Sequence, residues 1–137
     1  MDISIIIVSY NTADLTLQCL ASLQNAAGVE KEIFVVDNAS TDKSVEAIRT
    51  RFPAINLIAN KDNRGFGAAN NQALKECRGR YVIFLNPDTT LKPNTIQNAL
   101  VFMDDNQSIG LAGAKILNPD ATLQESVSYR YPGEKFT

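Results

Sequence analysis

Four polar clusters in this chain each directly follow a short apolar run, and they hold most of the side chains that could do chemistry. Ser9, Tyr10 and Asn11 close the first run, Asp37 and Asn38 the second, Asn60, Lys61, Asp62, Asn63 and Arg64 the third, and Asn86 and Asp88 the fourth. A carboxylate abutting an apolar strand is partly desolvated and needs a partner. One such partner is a divalent cation bridging to a diphosphate, because Mg²⁺ commonly takes one or two carboxylates plus phosphate oxygens. Asp37 and Asp88 are placed for that work. Asn11, Ser40 and Asp42 are better read as turn-making and helix-capping residues. The sequence contains no histidine, which excludes His as base, proton shuttle or zinc ligand. Cys19 and Cys77 lack the close spacing of a thiolate metal site and read as two reduced thiols.

Those clusters need a scaffold that brings them together. Ile3 to Ser9, Ile33 to Val36, Ile55 to Ala59 and Tyr81 to Leu85 are β-branched or apolar runs of strand length. Between them, helical spacing relates Leu15, Cys19, Leu20 and Leu23 over about 13–26, with Gly28 as terminator, and Val45, Ile48 and Phe52 before Pro53. A third helix is expected over about 67–77, ended by Gly79. A fourth has Pro93 in its first turn and Ile96, Leu100 and Met103 on its inner face. A further strand is expected from Ile109 to Leu117, then a turn at Asn118–Ala121, then a strand from Leu123 to Ser128. Alternation of this kind predicts an α/β, three-layer α/β/α fold around a mainly parallel, Rossmann-like sheet. Right-handed crossovers give the order 3-2-1-4 for the first four strands. In such sheets ligands bind outside the carboxyl ends of the strands, so all four clusters should meet on one edge.

Composition narrows the options. The 137 residues form one domain, 45% hydrophobic and 20% charged, which is an ordinary globular mixture. With 13 basic and 15 acidic residues the net charge is -2, and no basic excess exists for a nucleic-acid backbone. The longest apolar run, Ile5 to Val8, falls far short of the ~20 residues needed to cross a bilayer. Asp2 follows Met1 with no basic segment before the apolar run, so no signal peptide is read and the cytoplasm is expected, with peripheral membrane association through other segments or partners left open. The mixed ending at Tyr129–Gly133 reads like a chain cut within a larger protein.

Rival α/β functions are tested by motif. A dinucleotide dehydrogenase needs G-x-G-x-x-G after the first strand, where this chain reads Ser9-Tyr10-Asn11-Thr12-Ala13-Asp14. No P-loop motif is present, and a nucleotidyltransferase would want a Gly-rich basic loop after the first strand. The only Gly-rich loop, Arg64-Gly65-Phe66-Gly67, follows the third strand.

Five blocks in order carry a family resemblance. They are Ser4–Asn11, Val35–Asp42, Asn63–Asn71, Phe84–Asp88 and Leu117–Gln124. Together they resemble the N-terminal, nucleotide-sugar-binding half of a family 2 glycosyltransferase of the rhamnosyltransferase-like branch. The resemblance implies a GT-A fold over residues 1–137, here in part. It also implies inverting transfer of a sugar from a nucleoside diphosphate, dTDP-rhamnose or a UDP-sugar. The acceptor would be a saccharide or lipid-linked acceptor in cell-wall or surface polysaccharide synthesis. Asp37 matches the family aspartate that contacts base or ribose, and Ser9, Tyr10 and Asn11 should flank the base. Asn63, Arg64 and Gly65 should lie beside the nucleotide and diphosphate, with Arg64 a charge partner. Asn86-Pro87-Asp88 occupies the D-x-D metal position with Asn for the first Asp. Asp88 is then the motif's one carboxylate for Mg²⁺ or Mn²⁺.

The family's catalytic base is a carboxylate further along the chain, and no residue here matches it. Asp120 and Glu125 are available, yet one sits in a turn signal and the other in an apparent strand, so neither is assigned. The chain is therefore expected to bind nucleotide without useful sugar transfer. The rival from another class is a non-catalytic nucleotide-binding or interaction module of the same fold.

Overall fold

A computed structural model describes residues 1–26 and 28–124. Its elements run β1 (Ile3–Ser9), α1 (Ala13–Gln24), β2 (Lys31–Asp37), α2 (Ser44–Arg51), β3 (Asn56–Ala59), α3 (Phe66–Leu74), β4 (Tyr81–Leu85) and α4 (Thr95–Asp105). The four strands are all parallel and lie in the order β3-β2-β1-β4, as the crossover argument requires. Every residue of the central strand β1 is buried, which its Ile5–Val8 run makes favourable on both faces.

Odd and even positions divide the core. Ile3, Ile5, Ile7 and Val35 face α1 and α2, packing with Leu17, Cys19, Leu20, Leu23 and Ile48, and α4 adds Ile96 to this side. Ile6, Val8, Phe34 and Val36 face α3, whose small Ala69 and Ala73 let it lie close to the sheet. Each fully buried Ile or Leu contributes about 1.5–3 kcal/mol against exposure, so these two clusters dominate the stability of the sheet. Leu15, expected on the inner face of α1, is largely exposed; Thr16 and Leu17 take that face instead.

A polar cluster pins the amino ends of the strands. Ser4 and Glu32 are cross-strand partners, and Ser4 Oγ donates to Glu32 Oε1 at 2.6 Å. The Arg78 amide donates to the same oxygen at 2.6 Å, and Arg78 Nη2 reaches Glu32 Oε2 at 3.3 Å. The Gly79 amide donates to Ser4 Oγ at 2.8 Å. Gly79 does not end α3, which stops at Leu74; it lies where the chain crosses the start of β1.

The run 109–117 does not form the expected strand. A ladder partner is what turns an apolar run into a strand, and among the described residues this run pairs only at Leu117, an isolated antiparallel bridge to Leu123. The expected turn is present: the Ala121 amide donates to the Asn118 carbonyl at 2.9 Å, with Ala121 at φ 67°. Glu125 and the rest of the expected strand to Ser128 lie outside the described residues.

Candidate functional site

Parallel pairing puts the ends of all four strands, and so all four polar clusters, on one edge of the sheet. Ser9 is the register partner of Asp37, and Ile7 that of Leu85, so Asn86 begins beside the end of β1. Helices α1, α2 and α3 start from this edge, and their amino ends carry partial positive charge toward it.

Asp37 is 1% exposed. Its Oδ2 accepts from the Ser40 amide at 2.9 Å, while its Oδ1 is buried with no hydrogen-bond partner among the described residues. Asn38, also buried, ties three segments together. Its amide nitrogen Nδ2 donates to Asn63 Oδ1 at 2.6 Å, and its Oδ1 accepts from Asn60 Nδ2 at 3.3 Å and from the Arg64 amide at 3.0 Å. Asn63 Oδ1 also accepts from the Gly65 amide at 2.9 Å. Gly65 sits at φ 77°, ψ 163°, a region glycine alone occupies readily, and this turn aims the start of α3 at the edge. The Arg64 side chain is half exposed, with only a loose contact to Asp62 at 3.8 Å. Such an exposed pair is weak, which leaves the guanidinium available to a stronger anion.

The Ser9 hydroxyl turns toward α1, sharing hydrogen bonds with Thr12 Oγ1 at 3.1 Å and Thr16 Oγ1 at 3.0 Å. It frames the edge from inside. Tyr10 beside it is half exposed at the edge. Asn11, at φ 53°, turns its Oδ1 to the Thr41 amide at 2.8 Å.

Asn86 and Asp88 are exposed beyond β4. Helix α1 holds their segment from behind: Cys19 Sγ donates to the Asn86 carbonyl at 3.8 Å, and the Leu91 amide donates to Ser22 Oγ at 3.1 Å. Burial, and then the negative charge of Asp88, push the Cys19 thiol up to about 12. That thiol stays protonated and is no nucleophile. Among the described residues no three carboxylate or thiol groups converge on a metal-sized space. Asp88 alone could offer a hard oxygen to a cation whose other ligands came from phosphate and water, a donor set that suits Mg²⁺ or Mn²⁺.

The strand-end argument thus brings Tyr10, Asp37, Asn63, Arg64, Gly65, Asn86 and Asp88 to one edge. It gives no role to Asn38, although that residue sits directly after β2 with both a donor and an acceptor to offer. It also leaves Asp42 as an ordinary cap, whereas its carboxylate serves two helices: Oδ2 accepts from the Ala13 amide of α1 at 3.2 Å and Oδ1 from the Ser44 amide of α2 at 2.9 Å.

Comparison with known proteins agrees with this architecture. Succinoglycan biosynthesis protein ExoO of Rhizobium meliloti is 33% identical over 118 residues, covering 84% of this chain and 32% of that protein. Chondroitin synthase of Escherichia coli is 31% identical over 101 residues, 72% of this chain and 15% of that protein. The chain thus spans a third or less of the length of these relatives. A crystal structure of S. aureus TarS in complex with UDP-GlcNAc superposes with TM-score 0.69 at 29% identity, over 78% of this chain and 32% of that one. Mannosyltransferase PcManGT from Pyrobaculum calidifontis, in complex with GDP-Man and Mn²⁺, superposes with TM-score 0.71 at 28% identity, over 76% of this chain and 32% of that one. The expected GT-A fold is the fold of these neighbours. The family model described as glycosyl transferase family 2 matches residues 4–136, and the chain belongs to that family.

Proposed function

We propose that this chain is the donor-binding part of an inverting glycosyltransferase acting in polysaccharide or cell-wall polymer synthesis in the cytoplasm. Its donor is a pyrimidine nucleoside-diphosphate sugar, a UDP-sugar or dTDP-rhamnose, and its acceptor a saccharide or lipid-linked saccharide. The observation that carries this reading is the orphaned Oδ1 of Asp37. A buried carboxylate oxygen without a donor is costly, by about 1–3 kcal/mol or more for a charged group. A ring N–H of the base or a ribose hydroxyl supplies that donor, and Tyr10 offers an exposed aromatic face beside it.

The rest of the edge suits the diphosphate. Arg64 and the amino end of α3 supply positive charge. Asp88 would hold a Mg²⁺ or Mn²⁺ ion that neutralises the leaving diphosphate when bound. In the reaction the acceptor oxygen attacks the anomeric carbon, the bond to the diphosphate breaks with inversion, and the hydroxyl proton passes to a general base. We assign that base to no residue of this chain.

Calorimetry with uridine diphosphate, with and without Mn²⁺, tests the reading. Asp88→Ala should remove the Mn²⁺-dependent part of the affinity with little change in thermal stability, because Asp88 is exposed beyond a strand. Asp37→Asn should weaken binding about 10-fold with or without Mn²⁺. Unchanged affinity in Asp37→Asn would refute the donor site, and an unchanged Mn²⁺ dependence in Asp88→Ala would refute the metal assignment.

A further inference from the structure

Two loops bear the nucleoside side of the edge: residues 10–12 after β1 and 38–43 after β2. They are joined by hydrogen bonds between side chains of one and backbone or side chains of the other. The Asn11 amide donates to Ser40 Oγ at 2.9 Å, and Asn11 Oδ1 accepts from the Thr41 amide at 2.8 Å and from Thr41 Oγ1 at 3.3 Å. One residue further, Asp42 Oδ2 accepts from the Ala13 amide, and its Oδ1 accepts from both the amide and the hydroxyl of Ser44. One carboxylate therefore caps α1 and α2 together, where each helix would ordinarily use its own cap. Neither N-cap residue, Thr12 or Lys43, makes a side-chain cap bond.

The backbone shows that the arrangement is imposed. Asn11 and Ala39 lie at φ 53° and 70°, in the left-handed region. Asn tolerates it, but Ala adopts it only where its surroundings over-determine the conformation. Between them lies Asp37, whose Oδ2 is fixed by the amide of Ser40. The same Ser40 takes the Asn11 amide on its hydroxyl. The position of Tyr10 is thus linked to the Asp37 carboxylate through Asn11 and Ser40, and the link is backed by Asp42.

We propose that Asn11 and Asp42 are positioning residues for donor binding, locking the loop after β1 to the loop after β2 so that Tyr10 and Asp37 stand ready for one nucleoside, without touching it themselves. This rests on the donor-site reading above and replaces the expectation that Asn11 flanks the base directly. It also separates two halves of the site. The clamp governs the nucleoside half, whereas Arg64 and Asp88, on other loops, serve the diphosphate.

The test is calorimetry on the full chain with two probes, uridine diphosphate with Mn²⁺ and inorganic pyrophosphate with Mn²⁺. Each of Asp42→Ala and Asn11→Gly removes bonds of the clamp, and glycine keeps the left-handed turn accessible. Both should weaken uridine diphosphate binding by about 5- to 30-fold and leave pyrophosphate binding within about 2-fold. Asp42→Asn, which keeps one amide oxygen for one of the two helices, should recover part of the loss. Unchanged uridine diphosphate affinity in these variants, alongside a loss in Asp37→Asn, overturns the clamp and leaves the donor site standing. Equal losses with both probes overturn it too, since they mean general damage. No loss in Asp37→Asn removes the donor site and the clamp with it. If Asp42→Ala does not fold, Asn11→Gly decides by the same criteria.

Discussion

Gly79→Ala should be among the most damaging single-methyl additions to this fold, although it lies at the opposite end of the sheet from the candidate site. A Cβ at residue 79 would stand 2.5 Å from the Ile3 carbonyl carbon and 2.8 Å from Ile3 Cα, and closer still to the Ser4 amide nitrogen. Ordinary contacts of this kind begin near 3.4 Å. The obstacles are backbone atoms of the central strand, so no side chain can swing away. Either the loop before β4 lifts or the start of β1 moves. Lifting the loop strains or breaks the bond from the Gly79 amide to Ser4 Oγ and that from the Arg78 amide to the Glu32 carboxylate. Overpacking of this sort costs about 1–3 kcal/mol. A broken bond to the buried carboxylate adds about 1.5–3 kcal/mol. The expected loss is therefore about 2.5–6 kcal/mol, with a Tm lowered by roughly 7–24 °C for a domain of this size. Urea unfolding followed by circular dichroism measures it. Gly67→Ala is the control: a Cβ there meets nothing within 4 Å, and its helical position should make alanine neutral or stabilising by up to about 1 kcal/mol. A loss below about 1 kcal/mol in Gly79→Ala would refute the close-approach argument.

The same cluster predicts a pH dependence. Burial alone would raise the Glu32 carboxyl, but hydrogen bonds from Ser4 and from the amide and side chain of Arg78, with the Arg78 charge, hold it below its ordinary value of 4.5. Its contribution is thus fully present above pH 4.5 and is lost as pH falls through the depressed value. Urea midpoints should separate wild type from Glu32→Gln near neutrality and converge as the pH falls below 4.5; parallel curves would contradict this. Separately, Leu111, at 87% exposure, should tolerate Leu111→Asn with a change below about 0.5 kcal/mol. A loss of about 2 kcal/mol or more would show that the 109–117 run is buried after all.

The four strands and their order were legible because a parallel strand covered on both faces is mostly apolar, and β1 shows this in the run from Ile5 to Val8. The edge was legible for the same reason: once the strands are parallel, the residues after each must meet. What escaped were features set by contact between distant segments. Gly79 looks like a helix terminator in the sequence, because nothing local reveals that β1 passes beneath it. Asn38 reads as one more turn residue, since its three partners come from a loop more than twenty residues away. Asp42 reads as a cap for the helix beside it, and its second helix begins 29 residues earlier. The 109–117 run failed in the other direction: apolar composition marks a segment that can pair, but among the described residues it joins no strand of the sheet and makes only the bridge from Leu117 to Leu123.

The candidate site is organised unequally, and this bears on how it would bind. Around Asp37 nearly every polar group is committed: Asn38 joins Asn60, Asn63 and Arg64, and Asn11 and Asp42 join the first two loops. Among the described residues, Asp37 Oδ1 is the buried oxygen of this edge left without a donor. Asp88, by contrast, is exposed on a segment that α1 holds through a weak thiol contact and one hydroxyl. A surface fixed before binding loses little freedom on binding, so the nucleoside side can contribute affinity without first being ordered. A lone exposed carboxylate cannot hold a divalent cation firmly without further oxygens. On the donor-site reading, those oxygens come from the diphosphate, which reaches Asp88 once the nucleoside is seated at Asp37. The nucleoside half then selects the donor, and the metal half acts only on a donor already selected.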